Sequence, residues 1–355
     1  MGAIPNKLPG FQDIERDPEA RSMFERAWGA RIPPQYGMHL TQMFHAMERG
    51  ELTTLYCIGE NPAQSEADSA KTHNLLWNLD CLVVQDIFLT KTAELADIVL
   101  PASSSWCESE GTVTNSERRV QRVRRALNPP GEARDDLDIF SDLAARLGYD
   151  WGRPSPEQIW DELRSLSPAH RGMSYSRLEA LGGIAWPCYE EQSDGTAYLH
   201  ARLWEREPGK RGPEAPFSVV FDDPPLDPIT TDFPLRLTTG RRLDSYNTGV
   251  QTSAYASPLR FGERLDISPE DAVNYGLKLD DVVRVVSRRG AIEAIVRIDP
   301  GLREGLVFMT FHFSEDTDVN ILTNDAADPR SGTSEFKAAS VRIEVIALER
   351  CEARG

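Results

Sequence analysis

Leu52–Ala102 reads LTTLYCIGENPAQSEADSAKTHNLLWNLDCLVVQDIFLTKTAELADIVLPA, and its pattern decides the fold. Leu55–Ile58 is a short apolar run that ends in Gly59-Glu60-Asn61-Pro62, the loop a strand needs before the chain turns back over a sheet. Ser69–Leu79 reads as a helix with Leu75, Leu76 and Leu79 on one face. Leu82–Val84 is a second apolar run, stopped by Gln85-Asp86, and Ile98–Leu100 a third, stopped by Pro101. Unbroken apolar strands alternating with helices predict a parallel sheet buried on both faces. Asn61, Gln85 and Asp86 then fall at the carboxyl ends of strands, where open α/β sheets bind ligands. A carboxylate there can accept from the N–H and amino groups of a purine, and an amide can donate as well as accept. A nucleotide is the ligand class that this set suits, and polar loop punctuation explains the same residues without one.

A chain of 355 residues predicts about two domains. With 40% apolar and 27% charged residues it has an ordinary globular composition. A net charge of −17 argues against a nucleic-acid surface, which needs a basic footprint. No apolar run is long enough to cross a bilayer and no secretory leader is evident, so a soluble cytoplasmic protein without membrane insertion is expected. Cys57, Cys81, Cys107, Cys188 and Cys351 are scattered without a CxxC pair, and the histidines show no HxxxH or HxxE spacing. Neither a metal site nor an iron–sulfur cluster is predicted from them.

Around this centre the chain divides. Met1–Gln12 is rich in Pro and Gly with no strand pattern; helices are expected over Pro18–Trp28, Thr41–Glu48, Asp136–Leu147 and Glu157–Ser165. Glu108 and Glu110 read as solvated loop acids. Arg118, Arg119, Arg122, Arg124 and Arg125 form a cluster that suits phosphate or an acidic surface, or else a charged face around Val120 and Val123. Glu205–Pro216 has linker composition, so we divide the chain into an α/β domain over 1–210, a linker over 211–233 and a second domain over 234–350. Within the last, Leu235–Thr238, Leu265–Ile267, Val282–Ser287, Ile292–Ile298, Leu306–Thr310 and Val341–Ile346 read as short strands. Ser268-Pro269-Glu270-Asp271 opens a helix with capping-box chemistry that Gly276 ends, and Arg289-Gly290 marks a hairpin tip. Many strands and one short helix predict a small closed barrel.

The blocks GENP (Gly59–Pro62), VVQDIFLTKTAELADIVLPA (Val83–Ala102), EGTVTNSERRVQRVRRAL (Glu110–Leu127) and PPGEARDDLDI (Pro129–Ile139) resemble the second half of the large subunit of molybdopterin-dependent formate dehydrogenases. These belong to the dimethyl-sulfoxide-reductase-type molybdopterin oxidoreductases. The resemblance runs from Met1 to about Val345. It implies a Rossmann-like parallel-sheet domain followed by a double-psi β-barrel that binds a molybdopterin dinucleotide. The cofactor would be bis(molybdopterin guanine dinucleotide) carrying molybdenum or tungsten.

By that resemblance Asn61, Gln85, Asp86 and Asp136 hold guanine or ribose. Thr239, Gly240, Arg241 and Thr248, in a segment similar to the family's TGR…HTG, take the pterin–pyrophosphate portion. Two glycines there let backbone amides approach a ligand, and the arginine and threonines supply donors for phosphate. The frequent His-Trp-His element is replaced by Asp244-Ser245-Tyr246-Asn247. His312, Asn320 and Lys337 fall within Phe311–Arg342, which is similar to the family's terminal cofactor segment. Each also reads as ordinary structure: a core histidine, a turn asparagine, a solvated lysine. The family's iron–sulfur cysteines, the ligand to the metal and the active-site arginine have no counterpart motif in this chain. The resemblance therefore implies a carboxyl-terminal half, inactive alone, whose partners are the missing amino-terminal half and electron-transfer subunits. A free-standing cofactor carrier or a non-catalytic structural subunit of a redox complex is the alternative.

Overall fold

A computed structural model describes residues 4–105, 108–201, 205–207, 209–212, 217–242, 245, 247, 262–314, 317–329 and 331–346. In chain order, a short antiparallel pair, β1 (Lys7–Leu8) and β2 (Gln12–Asp13), precedes α1 (Pro18–Trp28) and α2 (Leu40–Glu48). Next come β3 (Thr54–Ile58), α3 (Pro62–Ser65), α4 (Ser69–Trp77), β4 (Cys81–Asp86), α5 (Lys91–Glu94) and β5 (Ile98–Pro101). The middle holds β6 (Gly111–Thr114), β7 (Arg119–Val123), α6 (Asp136–Arg146), α7 (Pro156–Leu166), α8 (Tyr175–Ala180), β8 (Ile184–Ala185), β9 (Glu205–Glu207) and β10 (Lys210–Arg211). The last part runs β11 (Leu235–Gly240), β12 (Arg264–Ile267), α9 (Pro269–Tyr275), β13 (Val282–Ser287), β14 (Ala291–Ile298), β15 (Leu306–Thr310) and β16 (Ala339–Val345).

One compact unit joins Leu40–Leu100 to Asp223–Gly355. It contains the expected sheet, in the order β3-β4-β5. β3 and β4 are parallel, in register from Thr54 opposite Cys81 to Ile58 opposite Gln85. Both strands therefore end at the same edge, where Gly59 N donates to Gln85 O at 2.9 Å. Leu82 and Val84 of β4 are buried with Phe44 and Leu76 of the covering helices.

The same unit contains a closed barrel in the order β11-β15-β12-β14-β13-β16. The pairs β11/β15 and β12/β14 are parallel, and the other neighbours antiparallel. Val283 and Val285 of β13, with Ile292, Ala294 and Val296 of β14, alternate inward into one apolar core, as a strand's two-residue period requires. Ser268 caps α9 by accepting from Asp271 N at 3.0 Å. Asp271 is too short to complete a capping box, and its carboxylate takes the Ser268 hydroxyl and Gly305 N instead, each at 2.8 Å. Gly276 closes the helix in the left-handed conformation, φ 66°.

Asp227, in the extended segment before β11, fastens that segment to the barrel. Its carboxylate is buried, pairs with Arg288 and Arg289 at the β13–β14 turn, and accepts from Ser340 N of β16 at 3.0 Å. Burial pushes this carboxyl up, but the Ser340 amide and the Arg289 guanidinium outweigh it and hold it below the usual carboxylate range.

The second compact unit joins Met1–His39 to Pro101–Asp222. Its sheet, β6-β7-β8, is antiparallel throughout, and its first two strands were not anticipated from the sequence. β7 carries Arg119 and Arg122, and the whole arginine cluster is engaged by its own unit. Arg118 donates to the carbonyls of Trp186, Thr196 and Ala197, and Arg119 to Gly183 O. Arg122 pairs with Glu110 and lies 3.6 Å over the Tyr175 ring, Arg124 pairs with Glu179, and Arg125 donates to Glu108 O. His170 is buried there against Trp160, its Nδ1 2.7 Å from Ser167 Oγ.

Asp227→Ala leaves two guanidiniums and the Ser340 amide without their acceptor and is expected to cost about 3 kcal/mol in urea denaturation. Asp227→Asn, which can still accept from Ser340, should recover part of that, and equal losses in both variants would refute this account. Burial pushes the His170 imidazole down to about 4, whereas an unfolded histidine titrates near 6.5. Between those values only the unfolded chain binds the proton, so stability is intact above about pH 6.5 and falls as the pH drops toward 4. His170→Gln is expected to remove about 2 kcal/mol of the loss between pH 6.5 and pH 5. An unchanged acid slope would show that another group carries it.

Candidate cofactor site

The sites expected at the sheet and on the barrel lie in one compact unit, and each is built by the loops that leave its strands. At the sheet, Asn61 follows β3 and is nine-tenths buried. Its Oδ1 accepts from Thr92 N at 3.1 Å and from Thr92 Oγ1 at 2.8 Å, and its Nδ2 donates to Gln64 Oε1 at 2.8 Å. Asn61 thus ties the loop after β3 to the first turn of α5. Asn320 is also buried, and its Nδ2 donates to Gln64 O at 3.0 Å while its Oδ1 accepts from Thr323 Oγ1. The structure brings Asn61 and Asn320 together around Gln64, a residue that the sequence did not single out.

Gln85, at the end of β4, is almost fully buried and accepts from the Tyr56 hydroxyl. The neighbouring Asp86 uses Oδ1 to accept from Ile87 N at 2.6 Å, which shapes the loop beyond the strand. Asp136 lies in the other compact unit, in the first turn of α6, whose cap is the Asp135 carboxylate at 3.0 Å from Leu137 N.

On the barrel, β11 ends in Thr239 and Gly240. Thr239 is buried and its Oγ1 donates to Phe336 O at 2.9 Å. Gly240 is required by close approach, since a Cβ there would meet the Phe308 ring at 2.9 Å. Arg241 is exposed. Arg242 turns the other way: its guanidinium pairs with Asp266, lies 5.4 Å over the Phe308 ring, and shares that buried carboxylate with Arg297 at 2.5 Å. Ser245 N donates to Arg242 O at 3.3 Å, and Asn247 takes the left-handed conformation, φ 48°. Thr248 lies outside the described residues.

His312 is fully buried beneath this loop. Its Nε2 accepts from Arg242 N at 3.0 Å and its Nδ1 lies 2.5 Å from Asn247 O. Lys337, just before β16, is exposed. Glu263 and Asp266, which sequence reading did not single out, are buried carboxylates at the start of β12, and Glu263 accepts from Thr310 N at 2.9 Å at the end of β15. The signal for Asp266 was its position between Leu265 and Ile267, a charge inside an apolar strand.

A fit to a large anionic dinucleotide can be judged from the polar atoms this loop leaves over. Arg242 Nε, Ser245 Oγ and Asn247 Oδ1 are buried and have no hydrogen-bond partner among the described residues. Buried polar atoms are ordinarily satisfied. Three orphans within six residues, beside an exposed arginine, fit a ligand rich in oxygens and ring N–H groups. Among the described residues, no group of three His, Cys, Asp or Glu side chains is arranged to hold a metal ion, and no helix is long and apolar enough to cross a membrane.

Residues 27–146 match the Molybdopterin oxidoreductase family model and residues 235–340 the Molydopterin dinucleotide binding domain model. The chain is 40% identical over 352 residues to the F420-dependent formate dehydrogenase subunit alpha of Methanocaldococcus jannaschii, covering 98% of this chain and 50% of that one. It is 36% identical to the assimilatory nitrate reductase catalytic subunit of Bacillus subtilis, covering 96% of this chain and 49% of the relative. Acetylene hydratase from Pelobacter acetylenicus shares the fold, with a TM-score of 0.65 at 18% identity over 93% of this chain and 50% of that one. The chain spans about half the length of these proteins. It carries a molybdopterin oxidoreductase domain and a molybdopterin dinucleotide-binding domain, and formate dehydrogenase alpha subunits are among its homologues.

Proposed function

We propose that this chain is the cofactor-binding carboxyl-terminal portion of a formate-dehydrogenase-type enzyme, and that it holds the guanine dinucleotide arms of a bis(molybdopterin guanine dinucleotide). The observation that carries this reading is the trio of unpartnered buried atoms on Arg242, Ser245 and Asn247, beside exposed Arg241. Arg241 and the backbone amides after Gly240 would hold pyrophosphate oxygens, since a guanidinium offers a planar fork of donors to an oxyanion. Thr248 and Lys337 would add donors at the two sides of that segment. Gln85 and Asp86, at the carboxyl end of the sheet, would read the N–H and amino groups of guanine. Asp136 is proposed as a further ribose or guanine contact. Asn61 and Asn320 already bind each other's surroundings through Gln64, which supports a role in shaping the pocket. When bound, the cofactor's molybdenum or tungsten supplies the two-electron chemistry, and the chain's own part is to bind, orient and cover it.

The remaining ligands of such a centre would come from an amino-terminal partner, with further subunits carrying electrons onward. Exposed apolar residues on one strand of the sheet support a partner: Ile98 and Val99 on β5 are 48% and 39% exposed. Formate is the substrate we propose for the complete enzyme, on the strength of the formate dehydrogenase relatives. A cytoplasmic setting accords with the free thiols of Cys57, Cys81 and Cys188.

Guanosine diphosphate tests the binding role. Titration calorimetry on the full chain is expected to give saturable binding that Arg241→Ala weakens about ten- to a hundred-fold, the loss of a charge-assisted contact. Absence of binding, or identical affinity in the variant, would remove the loop from the site. In parallel the chain alone should oxidise no formate with an artificial acceptor, and turnover by the isolated chain would overturn the division of labour.

A further inference from the structure

The imidazole of His312 joins two backbone groups that lie five residues apart in one loop. Nε2 receives the Arg242 N–H at 3.0 Å, and Nδ1 lies 2.5 Å from the Asn247 carbonyl. Both partners are main-chain groups with fixed roles: an amide can only donate and a carbonyl can only accept. The tautomer follows without choice. His312 is neutral, protonated on Nδ1 and bare on Nε2, and neither nitrogen is left for a ligand.

We infer that His312 is a positioning residue, a brace that fixes the Arg242 and Asn247 backbones beyond β11, and that it acts on a bound dinucleotide only through the residues it holds. This inference rests on the proposed anion-binding role of the loop and deepens it. Four observations support the brace. His312 has no exposed surface, so it reaches nothing but protein. Asn247 holds a left-handed φ of 48°, a conformation that asparagine tolerates better than most residues, and its carbonyl is the one received by Nδ1. The three unpartnered buried atoms lie on Arg242, Ser245 and Asn247, the two residues that His312 grips and one between them. Finally, the base of the brace is rigid: His312 follows Thr310, whose amide is fixed by the buried Glu263 carboxylate at 2.9 Å and whose strand β15 is parallel to β11 up to Gly240. The two ends of the loop are thus referred to the strand that lies next to the one it leaves.

Hydrogen exchange resolved to single amides tests the brace on the full chain. His312→Asn can keep a donor near the Nδ1 position but offers Arg242 N–H no acceptor, and His312→Phe removes both nitrogens at similar volume. Loss of one hydrogen bond predicts about ten-fold faster exchange of the Arg242 amide in either variant. Amides of β13 and β14, remote from the loop, should keep their protection. Guanosine diphosphate affinity is measured beside it and is expected to fall at least as far in His312→Phe as in His312→Asn. Unchanged Arg242 exchange in His312→Asn would overturn the inference whatever the affinity does. Uniform loss of protection across the barrel in both variants would also overturn it, because His312 would then be a plain core residue. If Arg242 exchange rises as expected while the wild-type chain binds no guanosine diphosphate, the brace stands and the ligand reading of the loop falls.

Discussion

A closed barrel has no free edge, and that constraint decides where this chain can meet a ligand. β11 is paired with β15 as far as Gly240 but with β16 only as far as Leu237. The main chain is therefore released on one side after Leu237 and on both sides only beyond Gly240. The loop that follows is where we propose that the barrel binds an anion. Gly240 admits the Phe308 ring, Arg242 is pinned over that ring, and His312 grips the backbone on both sides of the turn.

Buried charge supports the same architecture at two other points. Asp227 holds the incoming segment to the β13–β14 turn and to β16, while Asp266 gathers Arg242 and Arg297 at β12. Breaking a buried pair costs far more than an exposed one contributes, because the surviving partner is left uncompensated. These carboxylates restrict the barrel to one arrangement of its loops. The sheet makes a comparable commitment without charge: Asn61, Gln64, Thr92 and Asn320 exchange amide and hydroxyl contacts in a buried cluster. Polar networks of this kind favour a single geometry when every member is satisfied.

Most of the scaffold was legible in the sequence because it follows from periodicity. The runs at Leu55, Leu82 and Ile98 became β3, β4 and β5, and the barrel strands emerged where β-branched alternation placed them. Ser268 and Gly276 marked the two ends of α9 through capping chemistry alone. What escaped was decided by contacts distant in sequence. β7 was hidden by the arginines in it and on either side of it, of which Arg118, Arg119 and Arg124 have partners at Trp186, Gly183 and Glu179, about sixty residues away. The bonds that Asn61, Asn320 and His312 make were likewise hidden. A residue type shows what a side chain can bond, and the fold shows which of those bonds are already taken.

The Arg241-Arg242 doublet illustrates that difference. In sequence the two arginines are equivalent donors for phosphate, but their surroundings assign them opposite tasks. Arg242 is partly buried, paired with a carboxylate that Arg297 also engages, and stacked on an aromatic ring. Moving it toward a ligand would take one of two guanidiniums from the buried Asp266 and leave that carboxylate to Arg297 alone, so its contribution is to hold the loop. Arg241 is exposed and pays no such penalty on turning to an oxyanion. An arginine that is rigidly held beside one that is free to turn gives the loop both a fixed shape and an adaptable charge. In a protein of net charge −17, long-range attraction cannot draw in an anionic cofactor, because exposed charges are screened beyond about 10 Å. Recognition must then come from short-range donors already in place, and a braced loop provides them.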